Sequence, residues 1–424
     1  MTERMPELAL HAHSGSHAAP GQAGSSAIRL FYSSFREAEL AELRRRINAT
    51  NWPERETVTD QTQGVPLALL QDLAHYWGSE YDFRKCEARL NELPQFITEI
   101  DGLDIHFIHV RSTHEHALPL IITHGWPGSI LHLLGVIDPL TNPTAHGASV
   151  DDAFHLVIPS LPGYGFSGKP TSAGWGPERI ARAWVELMKR LGYPKFVAQG
   201  GDWGALVVDL MGKQAAPELL GIHTNLAAAV PAKIMHSIHT HGPLPPDLSS
   251  EERTQADKIA TLFATGLGYA IEMATRPQTL YGLMDSPIGL AAWLMDLGDG
   301  DAKPAAAVTD ALKRTTTSQS KHELTRDDVL DNITLYWLTK TALSSSRLYW
   351  ENKVAFFEAS GVAIPVAVSV FPGEFYQPPR SWAERAYPKL IYYGRAEKGA
   401  HFPAWEQPQV FSAELRRGFR SLRT

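Results

Sequence analysis

Short apolar runs that end in turn-forming residues recur in the middle of the chain and again near its C-terminus. Runs of this kind are typical of strands that are buried on both faces of a parallel sheet. Most are separated by stretches with helical spacing, so strands and helices alternate. An aspartate–glycine pair at 101–102 favours a tight hairpin between the first two runs. The predicted strands are 96–100, 103–110, 118–123, 154–159, 196–198, 366–370 and 390–393.

The segment before the first strand is predicted to be mostly helical. Its first helix begins at residue 28, and helices over 67–77 and 81–93 follow it. Apolar residues at helical spacing on one side, with charged residues between them, indicate that the first helix is amphipathic. Its apolar positions are Phe31, Phe35, Leu40, Leu43 and Ile47.

After residue 225 the alternation of strands and helices stops. Residues 226–356 are helical in tendency, and breaks are predicted at 243–247, 298–303 and 315–320. A long helical segment between two groups of strands is typical of a cap inserted over a sheet. Because the predicted strands resume at residue 366, the sheet domain is expected to be built from two parts of the chain.

The predicted fold class is therefore α/β, with a mostly parallel, doubly wound sheet, a helical cap and a mostly helical N-terminal extension. Residues 1–27 lack the apolar segment of a signal peptide and are predicted to be a disordered leader. The extension follows at 28–100, and the first part of the sheet domain at 101–225. The cap is assigned to 226–356 and the second part of the sheet domain to 357–424.

Composition and charge exclude several classes of partner. The 424 residues carry a net charge of −7, which offers no basic field to nucleic acid or to an anionic membrane. Cys86 is the only cysteine, so no disulfide can form within the chain and a reducing compartment is expected. No apolar run approaches the roughly 20 residues that span a bilayer. We therefore expect a soluble, cytoplasmic protein without a membrane anchor.

Residues 196–204 join a predicted strand to a helix through a turn in which glycines flank Asp202. This Gly-x-Asp-x-Gly pattern is that of a nucleophile elbow with aspartate in place of serine. A carboxylate is a weak nucleophile toward acyl carbon, but it can displace a leaving group from saturated carbon and form an alkyl ester on the enzyme. Since the pattern also suits an ordinary turn with an aspartate N-cap, its chemical interpretation depends on other motifs.

Those motifs follow other predicted strands at the same edge of the sheet. A His-Gly-Trp-Pro loop comes directly after strand 118–123, and the backbone N–H groups of Trp126 and Trp203 are predicted to stabilise negative charge on an ester oxygen. Glu374 and His401 follow the last two strands. The chain order of nucleophile, acid and histidine is that of the α/β-hydrolase triad. We predict that His401, oriented by Glu374, activates the water that cleaves the ester.

Together these motifs resemble the α/β-hydrolase-fold epoxide hydrolases, in particular the microsomal-type branch with its N-terminal helical extension. Glu374 is the acid that members of this branch commonly carry. The resemblance implies an enzyme that converts a hydrophobic epoxide and water to a vicinal diol, with no metal or organic cofactor. The motifs that carry it are His124-Gly125-Trp126-Pro127, Gly200-Gly201-Asp202-Trp203-Gly204, Phe371-Pro372-Gly373-Glu374 and Gly399-Ala400-His401-Phe402, with Asn51-Trp52-Pro53-Glu54 and His75-Tyr76-Trp77 in the extension.

The resemblance also implies two cap tyrosines that hydrogen-bond the epoxide oxygen. By local context these are Tyr269 and Tyr349, and Tyr336 and Tyr281 are the alternatives. The aromatic content of the cap further predicts contacts with a hydrophobic substrate. The residues expected to make them are Tyr336, Trp293 and Trp350.

Two other functional classes fit parts of this pattern. A haloalkane or haloacid dehalogenase on the same fold also uses an aspartate nucleophile and a histidine base, and the indole N–H groups of Trp126 and Trp203 could hold a halide. A scaffold without catalytic activity is the third reading, but its usual mark is the loss of a triad residue. The N-terminal extension either braces the cap or forms a homodimer contact.

Overall fold

A computed structural model describes residues 26–296, 306–313 and 324–423 of the chain. One nine-stranded sheet lies at the centre of the described part. Its strands are β1 (Arg29–Phe31), β2 (Gln95–Ile100), β3 (Leu103–Val110), β4 (Leu118–Thr123), β5 (Phe154–Pro159), β6 (Phe196–Gly200), β7 (Leu219–Thr224), β8 (Val366–Val370) and β9 (Leu390–Arg395).

The order of strands across the sheet is β1-β2-β3-β5-β4-β6-β7-β8-β9. Pairing is antiparallel from β1 through β3 to β5, and parallel from β5 to β9. Every residue of β6 and of β8 is buried. Because side chains alternate between the two faces of a strand, the sheet is covered on both faces at these strands. The carboxyl ends of β4, β6, β8 and β9 lie along one edge, where open α/β sheets bind ligands.

All the strands predicted from apolar runs are confirmed, and two more are present. Strand β7 contains Gly221 and His223, which interrupt its apolar run; the buried His223 ring hydrogen-bonds Ser369 on β8 at 2.9 Å. The prediction of a helix that begins at residue 28 is wrong, because Arg29–Phe31 pairs with β2 at the sheet edge. Phe31 instead packs its ring against Phe166, with centroids 4.9 Å apart. Pairing with a neighbouring strand here outweighs the local helical spacing.

The extension and the sheet domain contain short to medium helices. The described helices of the extension are α1 (Glu37–Asn48), α2 (Leu67–Ser79) and α3 (Arg84–Asn91). The first helix therefore starts later than predicted, and the third is shorter. In the first part of the sheet domain the helices are α4 (Ile137–Thr141), α5 (Pro177–Arg190) and α6 (Trp203–Gln214).

The segment between β7 and β8 is helical, as predicted. Its described helices are α7 (Ala232–His239), α8 (Ser250–Thr261), α9 (Gly268–Thr275), α10 (Pro287–Met295), α11 (Ala306–Lys313), α12 (Arg326–Thr339) and α13 (Ala342–Glu351). The predicted break at 243–247 lies between α7 and α8. The predicted breaks at 298–303 and 315–320 and nearly all of the predicted leader lie outside the described residues. The chain then completes the sheet and adds α14 (Arg380–Ala386), α15 (Pro403–Glu406) and α16 (Pro408–Gly418).

The extension packs directly on cap helix α12. The Trp77 indole N–H donates to Thr334 Oγ1 at 3.0 Å, and the Tyr81 hydroxyl donates to Asp331 Oδ1 at 2.6 Å. Arg89 pairs with the other oxygen of Asp331 at 2.9 Å. These contacts show that the extension braces the cap within one chain. Within the described residues, none of the helices combines the length and the apolar character that crossing a membrane requires.

Candidate active site

Asp202 lies in the tight turn between β6 and α6. Its backbone has φ +51° and ψ −127°, a strained conformation for a residue with a side chain. The turn is closely packed, since a Cβ on Gly204 would lie 2.1 Å from the carbonyl oxygen of Thr123. Only glycine therefore fits at position 204. The turn presents the Asp202 side chain at the carboxyl edge of the sheet, as a nucleophile elbow does.

The loop after β4 supplies a backbone donor to this side chain. The Trp126 N–H donates to Asp202 Oδ1 at 2.7 Å. A Cβ on Gly125 would lie 2.2 Å from the same oxygen, so only glycine permits this approach. Trp203 is the first residue of α6, where backbone N–H groups lack intrahelical partners and the helix dipole is positive. Of the two predicted oxyanion donors, the Trp126 N–H contacts the Asp202 carboxylate, and the Trp203 N–H belongs to the residue that follows Asp202 in the chain.

His124, at the start of the same loop, is buried and keeps the loop in place as a neutral ring. Its Nδ1 is 3.0 Å from the carbonyl oxygen of Gly125, and its Nε2 accepts the N–H of Leu161 at 3.1 Å. The first contact requires a proton on Nδ1 and the second requires a free Nε2, so the hydrogen bonds define the tautomer. Burial lowers the pKa of His124 to about 4, which is consistent with a neutral ring.

Glu374 and His401 complete a hydrogen-bonded chain to Asp202. Nδ1 of His401 is 2.7 Å from Glu374 Oε1, and its Nε2 is 3.3 Å from Asp202 Oδ2. The two loops that carry Glu374 and His401 are joined by a bridge between Gly373 and Ala400. Burial alone lowers the pKa of His401, but the Glu374 and Asp202 carboxylates together raise it above its usual value. The imidazole is therefore held between two carboxylates and favours its protonated form.

Glu406 holds the backbone on both sides of His401 and is a site residue that the sequence analysis missed. Its carboxylate accepts the N–H of Ala400 at 2.7 Å and the N–H of Phe402 at 3.0 Å, on either side of His401. Burial raises the pKa of Glu406 to about 7, against the effect of these two N–H donors. The only signal in the sequence is an acidic residue in the short helix that follows the histidine, a common arrangement that predicts nothing by itself.

An apolar cavity of about 350 Å³ opens onto Asp202. Tyr269 and Tyr349 line it together, with their ring centroids 6.2 Å apart. The Tyr269 ring stacks on Trp126, and the Tyr349 ring packs edge-on against Trp203. Burial is the largest cause, and the Asp202 charge a further one, of a pKa above the usual range for both phenols. Both hydroxyls are therefore protonated donors at neutral pH.

The other predicted aromatic contacts lie elsewhere. The hydroxyl of Tyr336 donates to the carbonyl oxygen of Gly128 at 2.8 Å, and Tyr281 is 66% exposed. Trp293 and Trp350 are outside the lining of the cavity beside Asp202. A larger cavity of about 690 Å³, which Trp350 does line, is lined by none of the three triad residues. The structure thus does not place these four side chains in the lining of the cavity beside Asp202.

Most of the cavity wall consists of apolar residues that could not be identified in advance. They come from cap helices and from the loops that follow α13 and β8, and their apolar character is the same as that of ordinary core positions. Among them are Met235, Phe263, Leu267, Ile271, Phe356 and Phe375.

Fold and site together define a hydrolase of the α/β-hydrolase fold. A family model described as alpha/beta hydrolase fold matches residues 119–264, and one described as epoxide hydrolase N terminus matches residues 28–133. A Stigmatella aurantiaca relative whose name assigns it to the epoxide hydrolases is 48% identical over 390 residues, which are 91% of this chain and 83% of that protein. Epoxide hydrolase 1 of Sus scrofa is 31% identical, over 94% of this chain and 90% of its own.

A solved structure agrees with these sequences. The crystal structure of juvenile hormone epoxide hydrolase from Bombyx mori superposes with a TM-score of 0.80 at 30% identity, covering 95% of this chain and 96% of the other. The chain belongs to the epoxide hydrolase family and is an enzyme that hydrolyses epoxides. The dehalogenase alternative is not favoured by these comparisons.

Proposed function

We propose that the enzyme opens a hydrophobic epoxide through a covalent ester on Asp202 and releases a vicinal diol. One observation carries this proposal: the hydrogen-bonded chain Glu374–His401–Asp202 ends at the wall of an apolar cavity that also contains two protonated phenols. A nucleophile, a base with its orienting acid, and proton donors therefore face one space.

In the first step, Asp202 Oδ2 attacks a ring carbon of the epoxide. Oδ1 accepts the Trp126 N–H at 2.7 Å, whereas Oδ2 has the longer contact, 3.3 Å from His401 Nε2, so we assign Oδ2 as the attacking oxygen. The new C–O bond forms as the ring C–O bond breaks. Tyr269 and Tyr349 both donate a hydrogen bond to the leaving oxygen, and one of the two phenols transfers its proton to it and becomes a phenolate. Strained ethers open readily once the developing alkoxide is protonated.

In the second step, water attacks the Cγ carbon of the ester. His401 accepts a proton from this water, and the N–H groups of Trp126 and Trp203 stabilise the negative charge that develops on Oδ1. Collapse of the intermediate breaks the bond between Cγ and Oδ2, and His401 returns the proton to Oδ2 as the diol leaves with that oxygen. Formation of the ester removes one of the two negative charges that raise the pKa of His401. The ring then gives up its proton, which restores the phenol that was deprotonated during alkylation, and His401 becomes a base only after alkylation has taken place.

The cavity indicates the chemical class of the substrate. Its wall is mostly aliphatic and aromatic, with Asp202, the two tyrosines, His239, Asn352 and Glu358 as the polar side chains among its lining. An epoxide with an aryl or alkyl substituent fits this wall, because the oxirane reaches Asp202 and the two phenols while the substituent is desolvated against the apolar side chains. Tyr336, Trp293 and Trp350 are not part of this proposal.

A single turnover in oxygen-18 water tests the covalent step. With enzyme in excess over styrene oxide, the first diol is expected to contain only oxygen-16, and the label is expected in the peptide that contains Asp202. The label enters the carboxylate because water attacks Cγ while Oδ2 leaves with the diol. Oxygen-18 in the first diol with unlabelled Asp202 would mean that Asp202 acts as a base, and the assigned roles would fail.

Replacing either cap tyrosine with phenylalanine is expected to slow the first step. We expect Tyr269→Phe and Tyr349→Phe each to lower the alkylation rate constant about 10- to 100-fold, and the double variant to lower it further, because the alkoxide loses its acid. Rapid quenching followed by mass spectrometry of the ester measures this rate. Tyr281→Phe is the matched control, since its ring is exposed on the cap. A loss confined to Tyr281→Phe would reverse the assignment.

The domain division, the cytoplasmic location and the homodimer remain predictions. The bracing contacts of the extension lie within one chain, and a dimer would have to use other surface. Light scattering on the purified protein tests the assembly, and cell fractionation tests the location.

A further inference from the structure

The loop that carries the Trp126 N–H is held by one helix of the cap. Asn332 of α12 donates from Nδ2 to the carbonyl oxygen of Pro127 at 2.8 Å, and its Oδ1 accepts the hydroxyl of Ser129 at 2.8 Å. One helical turn later, the Tyr336 hydroxyl donates to the carbonyl oxygen of Gly128 at 2.8 Å. We call residues 127–129 the oxyanion-loop shoulder. Each of its three residues is hydrogen-bonded by α12.

These contacts are buried and their directions are chemically defined. Asn332, Ser129 and Tyr336 are each at most 5% exposed. A carbonyl oxygen can only accept, so Pro127 requires the amide nitrogen of Asn332 and leaves the amide oxygen for the Ser129 hydroxyl. Buried polar groups that lose such partners are costly. The shoulder therefore has one favoured position relative to α12.

Helix α12 is itself fixed from its other side. Thr334 and Asp331 receive the side chains of Trp77 and Tyr81 from the N-terminal extension, as described above. Asp331 and Thr334 of α12 thus hold the extension, and Asn332 and Tyr336 hold the shoulder. Positions four apart on a helix share a face, which explains why Asn332 and Tyr336 meet the same loop.

The position of the shoulder matters because Trp126 directly precedes it. A backbone donor stabilises an oxyanion only when it is held at hydrogen-bond distance from the oxygen that gains charge. During alkylation Oδ1 loses charge, whereas during ester hydrolysis it gains charge. An error in the position of the Trp126 N–H should therefore affect the second step more than the first.

We propose that Asn332 and Tyr336 are positioning residues that hold the Trp126 N–H in place for hydrolysis of the ester. This inference rests on the proposed covalent mechanism and gives Tyr336 a role different from contact with the epoxide. The cap then contributes to both steps: α9 and α13 supply the phenols for alkylation, and α12 holds the backbone donor for hydrolysis.

The experiment compares Tyr336→Phe and Asn332→Leu with the unsubstituted enzyme. Tyr336→Phe removes only the hydroxyl, and Asn332→Leu keeps a similar shape without polar atoms. The alkylation and hydrolysis rate constants are measured separately with styrene oxide, by rapid quenching and mass spectrometry of the ester. We expect the hydrolysis rate constant to fall about 5- to 30-fold, the alkylation rate constant to change by less than about twofold, and the ester to accumulate.

The matched control is Tyr387→Phe. Tyr387 is a buried tyrosine whose hydroxyl bonds Asp209, away from the shoulder, so it reports the cost of losing a buried phenol bond in general. Its two rate constants should keep the ratio of the unsubstituted enzyme. Active-site titration by ester formation corrects all variants for misfolded protein.

Two results would overturn the inference alone. If Tyr336→Phe slows alkylation and leaves hydrolysis unchanged, Tyr336 donates to the epoxide instead. If both variants lower the titre of active enzyme but keep the unsubstituted enzyme's ratio of alkylation to hydrolysis rate constants, the role of Asn332 and Tyr336 is structural only. Failure to detect any ester in the unsubstituted enzyme would instead overturn the proposed function, and the inference with it.

Discussion

Asp202→Asn is expected to abolish diol formation, with a loss of at least about 10⁴-fold in the alkylation rate constant. The amide keeps the shape of the carboxylate and can still accept the Trp126 N–H through its oxygen. It carries no negative charge, however, and is a far poorer nucleophile toward carbon. Rapid quenching with styrene oxide should detect neither diol nor ester in this variant.

The control for this substitution is Asp209→Asn in α6, the helix that follows Asp202. Asp209 is buried and bonds Tyr387, so the change also removes a buried carboxylate but leaves the cavity intact. We expect it to retain activity. Thermal unfolding of both variants shows whether they fold. Substantial diol formation by folded Asp202→Asn would require direct attack by water and would refute the covalent mechanism.

His401→Gln is expected to separate the two steps. Glutamine cannot accept the proton of the hydrolytic water, so the hydrolysis rate constant should fall at least about 10³-fold while alkylation continues. Mixing with styrene oxide should then give one equivalent of ester per active site, found by mass spectrometry on the peptide that contains Asp202. His109→Gln is the control, because that ring bonds Tyr193 at 2.8 Å, outside the site.

In the unsubstituted enzyme, the hydrolysis step should be visible in how the fraction of enzyme held as ester depends on pH. Carboxylates raise the pKa of His401 in the resting enzyme, and loss of the Asp202 charge in the ester lowers it again. As pH falls, the ring in the ester becomes protonated and stops acting as a base, so the fraction of enzyme trapped as ester should rise. An ester fraction that does not change with pH, or a rapid steady-state turnover by His401→Gln, would show that another group activates water.

Much of the sheet and of the triad could be predicted because each depends on short-range patterns. A buried parallel strand is continuous in apolar residues, and the turn around Asp202 needs glycine at fixed positions. Since parallel strands end at one edge, the order of the motifs along the chain was enough to place Asp202, Glu374 and His401 together. Their contacts of 2.7 Å and 3.3 Å through His401 agree with that reasoning.

Local patterns misled where partners come from distant parts of the chain. Phe31 has helical spacing to Phe35, but its backbone pairs with β2, more than sixty residues later. Glu406 has no distinctive motif, and its importance depends on the two N–H groups that its carboxylate reaches. In both cases a tertiary partner decided the outcome.

The sequence by itself determined which reaction to predict, because its motifs contain the candidate nucleophile and the order of the candidate triad. Local context favoured Tyr269 and Tyr349 but left Tyr336 open, and only the tertiary structure decided which of the three lies beside Asp202. Tyr336 is buried and the other two are half-buried, and their local sequences do not show which way each helix turns its side chains. The packing of α9, α12 and α13 turns the first two toward Asp202 and the third toward Gly128. The physical reason is that the orientation of a helix is set by packing against residues that are distant in the sequence, and no local pattern contains that information.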